Sequence, residues 1–144
     1  MSHSKIYSKA FPGECIEDME DYIKPSMKHN PDMAIINCGT NNLRSKLSSQ
    51  EIATNIIKLR TSMKSADNEV VISSLIKRGD GFNNKTFQVN KYLYEMVGEH
   101  ELGFLDNSNI SLKHLQGNGH WGAIHLNENG NDIIKQNFIG IINL

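Results

Sequence analysis

The sequence lacks most of what marks a specialised class. It has two cysteines in 144 residues, Cys15 and Cys38. That is too few for a disulfide framework, and their spacing matches no metal-ligand pattern. They read as reduced thiols of an intracellular protein. Neither charge is in excess: 15 basic and 16 acidic residues leave a formal net charge of −1, with a pI of about 6.6. This excludes the basic footprint of a protein that binds nucleic acid or a membrane surface. No apolar run approaches the roughly 18 residues of a membrane span. Met1-Ser2-His3-Ser4-Lys5 leads into a short strand rather than the apolar stretch of a signal peptide, so the expected location is cytoplasmic. Repeats, low-complexity tracts and linkers are also missing. A hydrophobic content of 38% and a mean hydropathy of −0.44 describe one soluble globular domain, long enough to bury a core unaided.

What is present is an alternation of strand-like and helix-like segments. Lys5-Ile6-Tyr7-Ser8 reads as a short strand, and Phe11-Pro12-Gly13-Glu14 as the turn after it. Ile16, Met19, Ile23 and Met27 recur at helical spacing over residues 16 to about 29, with Pro25 placed to bend or divide that helix. Residues 33–38 form an apolar strand without alternation, as in a parallel sheet covered on both faces. Ser48 with Glu51 makes a capping box for a helix running to about residue 66. Residues 70–76, dense in β-branched side chains, read as a second buried strand. A helix over about 86–99, a short strand at 103–106, a long loop from 107 to 127 and a last helix over about 130–142 complete the chain. Strands alternating with helices predict an α/β fold with a mostly parallel sheet.

In such sheets ligands sit where strands end at their carboxyl edge. Two polar clusters fall there. The first joins Gly13 to Gly39-Thr40-Asn41-Asn42. Glycine lets backbone N–H groups approach a ligand, and an asparagine amide adds donors, the makings of an oxyanion hole. The second is His125-Leu126-Asn127, a histidine at the end of a glycine-containing loop and just before a helix, placed to act as a general base. His114, His120 and His125 are spaced by six and five residues, which matches no usual zinc pattern, so no metal or other cofactor is expected.

Taken together, Phe11-Pro12-Gly13, Gly39-Thr40-Asn41-Asn42-Leu43 and His125-Leu126-Asn127-Glu128-Asn129-Gly130 resemble the SGNH (GDSL-type) hydrolase superfamily. Val71-Ile72-Ser73 with Arg78 and Asp80, and Phe104-Leu105-Asp106-Asn107, are similar to that family's later strands. The resemblance runs from about Ile6 to Phe138. It implies a three-layer, flavodoxin-like α/β/α fold and hydrolysis of a small acyl or glycan ester by a serine nucleophile. By position it makes Gly13 and Asn41 the oxyanion donors and His125 the base, with Gly39, Thr40 and Asn42 shaping the substrate side. Asn42 stands where the family has aspartate, and its expected part is to support the turn.

Two departures accompany the resemblance. No Gly-Asp-Ser occurs in the sequence, so the nucleophile block and the family's first strand are missing, as in an N-terminally truncated domain. Gly122 stands three residues before His125, where the family has aspartate, leaving Asp106 or a backbone carbonyl to orient the imidazole. Ser8 ends a strand on the wrong side of the Phe-Pro-Gly turn, while Ser73 and Ser74 lie in a buried strand. Cys38 has apolar surroundings that disfavour a thiolate. Three readings stay open: an esterase, weak or inactive without its serine; a non-catalytic domain that binds a ligand or a protein; and a homodimer in which a strand is exchanged.

Overall fold

A computed structural model describes residues 14–97, 103–122 and 124–143. The expected strand at residues 5–8 and the turn that carries Gly13 lie outside the described residues. The described chain is an α/β layered fold built on three parallel strands, β1 (Met33–Ile36), β2 (Glu69–Ser73) and β3 (Phe104–Leu105), in that spatial order. Met33 pairs with Glu69 and Ile36 with Ile72, while Ile72 and Ser73 pair with Phe104 and Leu105. Parallel neighbours need a crossover. Helices α3 (Ser49–Met63) and α4 (Asn83–Val97) supply the two crossovers.

The first helical stretch is divided as Pro25 predicts: α1 (Ile16–Tyr22) ends at Ile23, and α2 (Lys24–Met27) starts with proline in its first turn. Proline is tolerated there because the first amides of a helix have no intrahelical partner. The Ser48–Glu51 capping box forms, Glu51 N–H donating to Ser48 Oγ at 3.1 Å. Val70 and Ile72 of β2 face one side of the sheet, where Ile52, Ile56, Val89 and Leu93 of α3 and α4 are fully buried with them. Each such side chain contributes about 1.5–3 kcal/mol through removal from water. Val71 and Ser73 point to the opposite face by strand alternation. There Asn107 reaches Ser73, and α5 (Glu128–Ile142) is tied on through Asn137, whose amide donates to Asn107 Oδ1 at 3.0 Å and Asn109 Oδ1 at 2.9 Å.

Several boundaries differ from expectation: β1 ends at Ile36 rather than residue 38, and two further differences have a local reason. β2 stops at Ser73 rather than residue 76 because Asn90 of α4 takes over: its amide accepts from Leu75 N–H at 2.8 Å and donates to Leu75 O at 2.9 Å. α4 begins at Asn83, since the Asn83 side chain bonds Arg78 N–H and C=O, both at 2.7 Å, and closes the preceding loop. The long loop after β3 is not structureless. It holds 3₁₀ turns at Leu112–His114 and Gln116–Gly122 and an antiparallel bridge between Leu115 and Leu126.

Candidate functional site

β1 runs out at Ile36, and the chain reverses through Gly39, whose φ of +107° lies in the left-handed region. A Cβ there would also come within 2.9 Å of Ile56 Cδ1, so conformation and packing both call for glycine. The 3₁₀ turn Thr40–Arg44 follows, and its four leading residues separate in function. Leu43 is fully buried in the core. Asn42 is 2% exposed. Its Oδ1 accepts the Ile16 N–H at 3.1 Å and its Nδ2 donates to the Glu17 carboxylate at 3.1 and 3.2 Å. Asn42 therefore holds the first turn of α1, satisfying an amide that the helix itself leaves unpaired. Asn41 Nδ2 donates to Glu14 O at 3.0 Å, which fixes the amide against the segment that follows Gly13. Its second N–H has no partner among the described residues.

Thr40 leads to a contact that the sequence did not foretell, although the resemblance had named Arg78 and Asp80. Its carbonyl and hydroxyl oxygens both accept from Arg78 Nη1, at 3.0 and 2.8 Å. Arg78 is 2% exposed. Its Nε donates to Asp80 Oδ1 at 2.9 Å, and its Nη2 donates to Asp80 Oδ2. A buried guanidinium is tolerable only when its donors are matched in this way. The Arg78 hydrogen bonds hold the Asp80 carboxyl down to about 2, and Arg44 adds to the effect. Arg44 Nη2 approaches Asp80 Oδ2 at 3.2 Å from the solvent side. The far side of Asp80 meets the histidine loop, since a Cβ built on Gly122 would lie 3.6 Å from Asp80 Cβ. Asp80 is thus where the 40–44 turn, the loop after β2 and the 116–122 turn converge. The sequence signal was the Arg-x-Asp pair after β2, named through the resemblance but without a partner assigned to either residue.

His125 follows three residues after Gly122. Its carbonyl accepts from Gln116 N–H at 2.9 Å and its neighbour Leu126 bridges to Leu115, so the backbone is anchored. Asn127 completes the anchor, its Oδ1 accepting Gly130 N–H as the cap of α5 and its Nδ2 donating to Lys113 O and Leu115 O at 2.9 and 3.0 Å. Gly130 packs so closely that a Cβ would fall 2.3 Å from His114 O. The imidazole of His125 is exposed and makes no hydrogen bond to another described residue. Asp106, one expected orienting group, instead accepts Ser108 N–H at 2.8 Å.

The other nucleophile candidates are engaged or unreactive. Ser73 Oγ accepts from Asn107 Nδ2 at 2.7 Å and Ser74 Oγ from Asn107 N–H at 2.8 Å, both buried. Burial pushes the Cys38 thiol up to about 12. Burial raises Cys15 as well, with Glu17, Asp18 and Glu14 adding to it. Ser8 and Gly13 lie outside the described residues. No group of three or more His, Cys, Asp or Glu side chains among the described residues is placed to hold a metal ion. No helix among them is long and apolar enough to cross a membrane. A groove of about 480 Å³ opens beside α5, lined by Lys113, His114, Asn129, Asp132 and Ile133, and includes neither Asn41 nor His125.

No family model and no curated protein matches the sequence. Solved structures do match in shape. A GDSL-like lipase from Bacteroides thetaiotaomicron VPI-5482 superposes with a TM-score of 0.74 at 14% identity, over 91% of this chain and 72% of that one. A member of the lipolytic G-D-S-L family from Veillonella parvula DSM 2008 gives 0.70 at 20% identity, over 89% and 74%. The fold is that of the GDSL-type hydrolases. The strand–turn–helix order of this GDSL-type fold sets Gly39–Arg44 at the carboxyl edge of the sheet, with the 116–122 turn against it through Asp80.

Proposed function

We propose that this chain is an acyl-ester hydrolase-type domain whose polar elements bind the ester carbonyl at the carboxyl edge of β1. In this reading Gly13 and Asn41 donate to the developing oxyanion, His125 is the general base, and Gly39, Thr40 and Asn42 shape the turn that presents them. The observation that carries it is the bond from Asn41 Nδ2 to Glu14 O. It fixes an amide donor against Glu14, the residue that follows Gly13 in the sequence, and leaves a second N–H for an incoming carbonyl oxygen. Preorganised donors of this kind stabilise charge that develops in acyl transfer.

The nucleophile is the open element. The 144 residues contain no Gly-Asp-Ser, and the buried serines of β2 and its extension are committed to Asn107. A base and an oxyanion hole without a serine can polarise a carbonyl and orient water, but the covalent route is closed. Ester hydrolysis by this polypeptide alone is therefore expected to be weak or absent, with ester binding retained. Incubation with p-nitrophenyl acetate and with a serine-reactive fluorophosphonate tests this. Slow or no release of nitrophenol without labelling is the expected result. Covalent labelling at a single residue would overturn the non-covalent part and locate the nucleophile.

A further inference from the structure

We propose that Arg44 makes this site selective for esters that carry an anionic group, a carboxylate on the acyl chain or a phosphate on the alcohol. The inference rests on the acyl-ester reading and adds a substrate class to it. The placement follows from the turn. In a 3₁₀ helix residues three apart eclipse one another, and Arg44 stands one turn after Asn41 in Thr40–Arg44. Arg44 is exposed, its side chain 63% accessible. It reaches Asp80, the residue against which Gly122 of the histidine loop packs. Arg44 therefore lies between the proposed oxyanion donor and the loop that carries the proposed base.

Its charge is not consumed there. Both oxygens of Asp80 already receive donors from Arg78, whose guanidinium is 2% exposed. One carboxylate shared by two guanidinium groups leaves a net positive charge, and the exposed one holds it. A single Nη2 contact at 3.2 Å leaves the other Arg44 donors without partners among the described residues. Lys46 and Lys77 on the same two loops are exposed and add to the field. Lys85 differs, its ammonium donating to Leu43 O and Ser45 O at 2.9 and 3.1 Å. A planar fork with free donors matches carboxylate and phosphate oxygens, and two parallel bonds to one group are favoured over contact with a neutral ligand.

Backbone-amide NMR of the full chain, titrated with paired esters, tests the inference. Monomethyl glutarate against dimethyl glutarate probes a carboxylate; the phosphate monoester of glycol monoacetate against glycol monoacetate probes a phosphate. The charged member of at least one pair should bind more tightly, by roughly tenfold at low salt, and shift the amides of Gly39 to Arg44 and His125. Arg44→Gln should remove that preference and leave affinity for the neutral ester unchanged; Arg44→Lys should keep part of it. Higher salt should weaken the charged ligands alone. The pair that responds identifies the anionic group. Equal affinities within both pairs, an Arg44→Gln chain that still prefers the anion, or shifts confined to the groove at Lys113 and Asp132 would overturn the role of Arg44. If neither charged nor neutral esters shift residues 39–44, the acyl-ester reading itself falls, and the two failures are thereby told apart.

Discussion

The two halves of the candidate site are held in opposite ways. On the β1 side the side chains of Thr40, Asn41 and Asn42 are each held by at least one hydrogen bond. Asn42 is bound to Ile16 and Glu17, Thr40 to a buried Arg78, and Asn41 to Glu14 O. On the histidine side only the backbone of His125 itself is fixed, through Gln116 and the neighbouring Leu115–Leu126 bridge, and the imidazole is left in solvent. In the proposed reading the first half is the oxyanion hole, whose donors must be in place before charge develops. The second is built like a group whose final orientation is set by what it meets. The sharpest way to break this contrast is to remove the side chains that hold the first half and ask whether the second notices.

Arg78→Met should have the largest effect. It leaves the Asp80 carboxylate without its main partner and the two Thr40 oxygens without a donor. Breaking one partner of a buried pair costs about 3–5 kcal/mol, to be read in urea or thermal unfolding. Adding Asp80→Asn to Arg78→Met should recover part of the loss, because the uncompensated charge goes with it. A double variant no more stable than the single would show that Asp80 is solvated independently of Arg78. Asn42→Ala comes next. It strips the Ile16 N–H of its acceptor and the Glu17 carboxylate of a donor, a loss of about 1–2 kcal/mol by analogy with removing a helix cap. A drop with normal far-ultraviolet helicity but faster exchange at Ile16 would place the damage at the start of α1.

Acid tests the same region with a definite sign. The Asp80 carboxyl is held at about 2 against an ordinary 3.8. A depressed carboxylate stabilises the fold above its unfolded value, and that contribution is lost as pH falls through the folded one. Stability should therefore decline between about pH 4 and pH 2, and the decline should be shallower in Asp80→Asn. Identical slopes for the two chains would mean that other carboxylates govern the acid limb.

Much of this contrast was hidden in the sequence, for physical reasons. The apolar runs around Ile35 and Val71 declared themselves as parallel strands because both faces of such a sheet are covered. Pro25 and the Ser48–Glu51 box marked helix ends because their chemistry is local. Gly39, Asn41 and His125 were legible as a set of residue types in order, though not as a geometry. What the sequence concealed depended on partners far along the chain. Asn90 pulling Leu75 out of β2 spans 15 residues, and Arg78 reaching Thr40 spans 38. The resemblance named Arg78 without a partner, and only the fold makes it the most confined cation among the described residues.

The smallest expected change in stability is at the other half of the comparison. The His125 side chain is exposed and bonds to nothing described, while its backbone carbonyl does the anchoring. His125→Ala should therefore alter unfolding by no more than about 0.5 kcal/mol, the usual range for a surface position. Any genuine ester turnover should nevertheless disappear, since the proposed base would be gone. The pairing of those two readouts is what matters. A stable variant with unchanged hydrolysis would assign that hydrolysis to something other than this site. A variant destabilised by several times the expected amount would mean that the imidazole anchors the 116–126 segment, and the two halves would then be held alike.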